Sequence, residues 1–314
     1  MTPIAKIVKM TSFIDMISSL PDEATCRQYL ESAIWGGVPT CPYCKCKESY
    51  RLTTKKVFKG MYKCADCKER YTVTIGTMFE GSHIPLRKWF IAIYIFSLHK
   101  KGISSHQLAS DLGITQKSAW FMLGRIRLAF KPAPIRFKLS GNFQCDESYF
   151  GGKNKNRHAD KKVHESQGRS VKDKTPVFGI IQDGGHVHTT VVPNTQAKTL
   201  KPIISGLVEN GSIIVTDEWT AYKGLAKEYD HVVVKHKEAQ YVNGEFNTQS
   251  IEGFWSQMKR GLYGVYHHCS PKHLHRYCDE FSFRYNVRKQ SVNDKFDFSL
   301  QHSTRLTYKQ LIAN

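Results

Sequence analysis

Two Cys-x-x-Cys pairs, Cys41-Pro-Tyr-Cys44 and Cys64-Ala-Asp-Cys67, are separated by 19 residues in a chain of 314. Each pair forms a tight turn that offers two thiolates, and two such turns close a tetrahedral site around zinc. The sequence between and after them reads as strand at Tyr50 to Thr53, Val57 to Tyr62 and Arg70 to Ile75. That is the pattern of a zinc ribbon, so Cys41, Cys44, Cys64 and Cys67 are the expected zinc ligands. Four protein ligands leave no open coordination position, which makes the metal structural. Redox-active or free thiols are the competing reading, and Cys46 is an alternative ligand that would break the symmetric arrangement. The remaining cysteines are scattered, so no disulfide framework is expected.

The charge balance narrows the partner. Lys and Arg number 46 against 27 Asp and Glu, a formal net charge of +19, and such an excess points to a polyanion, usually nucleic acid. A membrane surface is the rival, but no apolar run reaches the ~18 residues of a spanning helix. The N-terminus lacks an apolar signal region, so a cytoplasmic, nucleoid-associated protein is expected.

The periodicity divides the chain into segments. Residues 1–38 form an N-terminal helical segment in which Asp22 caps a helix that Gly36-Gly37 stops. The zinc ribbon takes 39–80. Residues 81–131 are helical: an apolar helix follows Pro85, and Ser104 to Trp120 reads as a helix-turn-helix. Ala109 allows close approach, Gly113 makes the turn and Thr115 caps the second helix. Gln116, Lys117 and Ser118 then occupy the end that reaches base edges in such motifs, and Arg125, Arg127 and Lys131 extend the basic face. An ordinary helical hairpin with a glycine turn is the bland alternative. Pro132 and Pro134 mark a linker over 132–142, a domain richer in strands takes 143–290, and 291–314 reads as a tail.

Within 143–290, three acids occupy chemically useful positions. Asp146 lies in the strand Phe143 to Phe150, and Asp217 ends the apolar strand Ser212 to Asp217. The stretch Asn247 to Arg260 is an amphipathic helix whose stripe is Ile251, Trp255, Met258 and Leu262. Glu252 and Lys259 lie two turns apart on one face of it. Three carboxylates on two strands and a later helix suit a pair of magnesium or manganese ions and in-line attack on a phosphodiester. A solvated Glu and Lys on an ordinary surface helix is the competing reading. Glu147 falls on the opposite face of its strand from Asp146.

The basic insertion Gly151 to Lys174 brings Lys153 and Lys155, which with Arg260 are expected to contact DNA; a merely solvated loop is the alternative. The order strand, strand, strand, helix, strand, helix, strand, helix is ribonuclease-H-like. It uses a hairpin at Asp183 to His186, helices at Gln196 to Val208 and Tyr222 to Glu228, and a short strand His231 to Lys235. Tyr277, Phe281 and Tyr285 read as core packing, Arg284 and Arg288 as candidates to face DNA. His267-His268 reads as either a DNA contact or a helix cap. The expected fold is α+β and multidomain, with a zinc ribbon, a helix-turn-helix domain and a ribonuclease-H-like α/β domain built on a mixed sheet.

The runs Asp146 to Lys153, Thr216 to Tyr222, Ile251 to Arg260, Gly264 to His268 and Ser270 to His273 closely resemble the ISXO2-like insertion-sequence transposases. The resemblance extends from about Cys41 to Arg288. It implies a DDE transposase that cuts and rejoins double-stranded DNA at the terminal inverted repeats of its own element, working as a homodimer or larger. It also implies that Asp146, Asp217 and Glu252 are the metal-binding triad and that Lys259 is the family's basic residue seven positions after the last acid. The alternative is a catalytically inactive DNA-binding regulator derived from a transposase. An RNA-acting ribonuclease is a third reading, disfavoured because its usual four-acid cluster is not evident.

Overall fold

The computed structural model describes residues 10–131, 137–152, 154, 157–164, 170, 172–235, 238 and 242–313. It divides into two compact units, Met1–Phe130 with Lys289–Asn314, and Lys131–Arg288.

In the first unit, α1 (Phe13–Ser19) and α2 (Glu23–Trp35) are separated at Leu20-Pro21. Asp22 starts α2 by accepting the Thr25 N–H, and Gly36 ends it at φ 63°, a left-handed conformation that glycine adopts without steric cost. An antiparallel sheet follows, β1 (Ser49–Thr54), β2 (Val57–Cys64) and β3 (Arg70–Tyr71). Trp35 packs edge-on against Tyr62 and Tyr71, with ring centroids 5.5 and 5.8 Å away, the arrangement aromatic quadrupoles favour. The third strand is shorter than its sequence suggests. After Tyr71 the chain turns, with the Ile75 and Thr77 N–H groups donating to the carbonyls of Thr72 and Thr74.

The apolar α3 (Leu86–Leu98) is buried around much of its circumference. α4 (Ser105–Leu112) and α5 (Gln116–Ala129) are joined at Gly113, φ 59°, and are capped by Ser104 and Thr115, whose side chains accept the Gln107 and Ser118 N–H groups.

The second unit is built on β4 (Asn142–Phe150), β5 (Thr175–Gln182) and β6 (Val187–Val191), then α6 (Ala197–Leu207), β7 (Ile213–Thr216) and β8 (Asp230–Val233). The sheet order is β6-β5-β4-β7-β8. Its first two pairings are antiparallel and its last two parallel. A two-stranded ribbon, β9 (Val242–Asn243) and β10 (Phe246–Asn247), precedes α7 (Gln249–Gly264) and α8 (Leu274–Asn286).

Because side chains alternate along a strand, the sheet has two apolar faces. Phe143, Cys145, Phe178 and Ile180 pack with Leu200 and Ile204 of α6 on one. Val177 and Ile181 pack with Ile251, Trp255 and Met258 of α7 and Phe281 of α8 on the other. The helix expected at Tyr222 to Glu228 is instead two 3-10 turns, Thr220–Tyr222 and Leu225–Lys227, interrupted by Gly224 at φ 84°.

The segment read as a tail is structured and belongs to the first unit. It forms α9 (Val292–Gln301) and α10 (Tyr308–Ala313). Ser291 and Asp294 close a capping box, and the Phe296 ring lies 5.3 Å from Phe90 and 5.9 Å from Tyr29. Among the described residues no helix is long and apolar enough to cross a membrane.

Candidate functional site

The four ribbon cysteines converge, all four sulfurs lying within 4.8 Å of one another. Cys41 and Cys67 sulfurs are 3.6 Å apart, and those of Cys44 and Cys64 3.5 Å. A tetrahedron with Zn–S bonds of ~2.3 Å has edges of ~3.8 Å, so the geometry fits a structural zinc. Cys46 is not in the cluster; its sulfur accepts the Glu48 N–H at 3.3 Å.

In the second unit, β4 carries Asp146, and the chain reaches Asp217 at the carboxyl edge of the sheet, just past β7. Asn142, Phe143 and Gln144 of β4 pair in parallel with Ile213, Ile214 and Val215 of β7. The pairing ends there: Asp146 lies two residues further along β4, and Asp217 lies just past the end of β7. Asp217 Oδ1 accepts the Trp219 N–H at 2.9 Å, and Trp219 Nε1 donates to the Thr195 carbonyl at 3.0 Å, which shapes the turn after β7.

Two contacts that the sequence reading did not find bring α7 to this edge. Gly179 stands opposite Asp146 in the β4–β5 ladder. A Cβ there would lie 2.6 Å from Trp255 Cζ2 and 3.0 Å from Ile251 Cδ1, so its absence lets the helix lie against the sheet. The buried Gln144 side chain then accepts the Ile251 N–H at 3.1 Å. This satisfies one of the donors that a helix N-terminus leaves unpaired.

Glu252, the next residue, is exposed and accepts the Thr248 hydroxyl at 2.8 Å. Lys259 is half-buried: burial pulls its pKa down and the charge of Asp146 opposes that, so the two are electrostatic neighbours. Glu147 lies on the other face, where the Tyr222 hydroxyl donates to it. Burial, followed by the Glu147 charge, raises the pKa of Tyr222 well above the usual phenol range. Among the described residues the cysteines are the group that converges for a metal, and Asp146, Asp217 and Glu252 do not form such a group.

Gln116 and Lys117 are exposed and Ser118 half-buried at the start of α5. Gln116 donates to the Ser105 hydroxyl at 2.8 Å, Ser118 accepts from the Thr115 hydroxyl at 2.9 Å, and the Lys117 ammonium lies 5.3 Å from the Tyr308 ring centroid. Arg125 and Arg127 do not extend a basic surface. They are 6% and 5% exposed, and Arg125 donates to the carbonyls of Leu306 at 2.8 Å, Met78 at 2.6 Å and Glu80 at 3.0 Å. The C-terminal segment covers α5 here, which turns a presumed contact into an internal brace.

Arg284 is likewise buried, paired with the fully buried Glu280 at 2.8 Å. Arg260 is exposed, its Nε donating to the Ser256 carbonyl at 3.2 Å. Lys153 and Lys155 lie outside the described residues.

Comparison with known proteins assigns a class to these features. Residues 21–70 match the model of a transposase zinc-ribbon domain, and residues 138–286 that of an ISXO2-like transposase domain. A Halobacterium salinarum protein, "Uncharacterized protein in transposable element ISH50", is 26% identical over 257 residues, covering 78% of this chain and 85% of its own. An "Uncharacterized transposase-like protein" of Haemophilus influenzae is 34% identical over 106 residues, covering 32% of this chain and 80% of its own. A chain of the simian T-cell lymphotropic virus intasome in complex with PP2A regulatory subunit B56 gamma overlaps 60% of this chain and 66% of its own, at 12% identity. Its TM-score of 0.26 is too small to bear an inference. The class is that of mobile-element transposases. The chain belongs to the ISXO2-like transposases of the IS1595 family.

Proposed function

We propose that this chain is a catalytically competent DDE transposase that binds the terminal inverted repeats of its element, cleaves the DNA there and transfers the strand. The observation that supports this most is the arrangement of the elements that carry the acids: β4, which bears Asp146, pairs in parallel with β7, which leads into Asp217, and the first turn of the Glu252 helix is tied to β4 through Gln144. The sheet order, with three antiparallel strands followed by two parallel ones, is consistent with a ribonuclease-H-like catalytic domain.

Asp146, Asp217 and Glu252 are hard oxygen donors and would hold magnesium or manganese. The metal, when bound, would supply activation of water or a 3′-hydroxyl and stabilisation of the leaving oxygen. Lys259, beside Asp146, would hold a phosphate oxygen by charge and hydrogen bonding. The α4–α5 pair would read the duplex through Gln116, Lys117 and Ser118, with Arg260 on the backbone. Two DNA ends require a homodimer or larger assembly.

The regulator reading draws its support from the carboxylates not closing together. One assay separates the two: labelled duplex carrying the inverted repeat, with Mg²⁺ or Mn²⁺, against Asp217→Asn and Glu252→Gln. Cutting that both substitutions abolish while binding persists is the expected result. Specific binding without cutting by the unaltered protein would favour the regulator.

A further inference from the structure

Beyond the carboxylates, the second unit contains a cavity of about 210 Å³. Its walls bring together two runs that the catalytic reading leaves unused, Gly151-Gly152 after β4 and His267-His268 after α7. The volume is below the ~300 Å³ at which drug-sized pockets begin. It suits one base, with the attached sugar and phosphate at its mouth.

The lining is chemically divided. Phe150, Leu262 and Leu274 supply apolar surface. Tyr263, whose hydroxyl donates to the Gly151 carbonyl at 3.4 Å, is 47% exposed at the wall. Arg157 and the two exposed histidines add donors. Asp173 also lines the cavity, and both of its carboxylate oxygens are shielded from solvent yet accept no hydrogen bond from the described residues. A shielded carboxylate without a donor is costly, and a ligand carrying an amino group would relieve it.

Position completes the case. Phe150 lies four residues past Asp146 on β4, about 13 Å along the strand at ~3.3 Å per residue. Tyr263 lies one helical turn past Lys259 on α7. A DNA strand leaving the carboxylate edge between β4 and α7 therefore meets the cavity within about four nucleotides at ~3.4 Å rise each.

We propose that this cavity receives one unstacked nucleotide of the DNA end, its base against Phe150 and Tyr263, its amino group facing Asp173 and its phosphate served by Arg157 and the histidines. The proposal rests on the transposase reading. Enzymes that extrude a base bind more tightly where its pairing is already weakened.

The test uses the full chain, fluorescent duplexes carrying the flanking inverted repeat, and Ca²⁺ to keep them uncut. Single mismatches are placed at each of the positions around the cleavage point, and binding is read by anisotropy. The expected result is several-fold tighter binding at one position, an advantage over the matched duplex that Tyr263→Ala and His268→Ala each remove, each variant being compared with its own binding of the matched duplex. 5-Iodocytosine at that position, which keeps an exocyclic amino group, should also crosslink to a peptide containing Tyr263 or His267-His268. Tight binding of the repeat with a flat mismatch profile and no such crosslink overturns the cavity proposal alone. Failure to bind the repeat at all overturns the transposase reading, and the cavity proposal with it.

Discussion

The side-chain carbonyl of Gln144 accepts the backbone N–H of Ile251 at 3.1 Å, so the strand bearing Asp146 also holds the first turn of the helix bearing Glu252. Gln144→Leu leaves that buried donor without an acceptor, at a cost of about 1–3 kcal/mol. The expected outcome is a lower urea midpoint and a fall in DNA cleavage larger than the fall in duplex binding. Equal falls would mean that the bond serves stability alone.

Gly179 is the other tie. In Gly179→Ala the new methyl group would meet Trp255 at 2.6 Å, and overpacking of this kind costs about 1–3 kcal/mol. Trp255→Phe should offset part of it. A double-mutant cycle by chemical denaturation is expected to show favourable coupling between the two substitutions, and additivity would contradict the contact.

Lys259 makes a prediction about pH. Burial holds its folded pKa below the usual 10.5, with Asp146 opposing. Between the folded value and 10.5 the unfolded chain binds the proton more strongly, so stability rises with pH across that window. Below the window both states are charged and the folded state bears the full desolvation penalty. Lys259→Met is therefore expected to unfold at no lower denaturant concentration at neutral pH while cutting DNA poorly. The stability difference between variant and unaltered protein should shrink as pH approaches 10.5, and a pH-independent difference would refute the assignment.

One zinc per chain is expected by atomic emission. Cys41→Ser and Cys64→Ser should lose it, and Cys46→Ser should keep it because Cys46 stands outside the converged set. Structural zinc contributes an apparent ~10–16 kcal/mol in small fingers, so chelation should unfold the ribbon as seen by proteolysis. Retention of zinc by Cys64→Ser together with its loss from Cys46→Ser would reassign the ligand.

Two basic residues on α5 should behave oppositely. Arg125→Ala removes the donors to three carbonyls and should lower the thermal midpoint by several degrees. Lys117→Ala should leave stability within about 0.5 kcal/mol and reduce the salt slope of DNA binding by about one. A wild-type midpoint in Arg125→Ala would remove it from the brace.

What the sequence by itself determined was local. Cys-x-x-Cys spacing picked out the four cysteines that converge because each turn sets its own pair of sulfurs. Strand-like apolar runs located β4 and β7, inner strands of the sheet, and helical period located α7, which buries one face against it. The Ser291-x-x-Asp294 signature and the Phe296, Leu300 spacing could have revealed α9 in the same way, although the sequence reading passed over them.

Tertiary structure alone decided the rest. Arg125 is a brace because residues 78, 80 and 306, far apart in the chain, place carbonyls around it. Gln144 and Gly179 matter because a helix formed about seventy to a hundred residues later lies against them. Which arginine is covered, and which glycine must stay bare, depends on what packs there, and no local pattern in the chain records it.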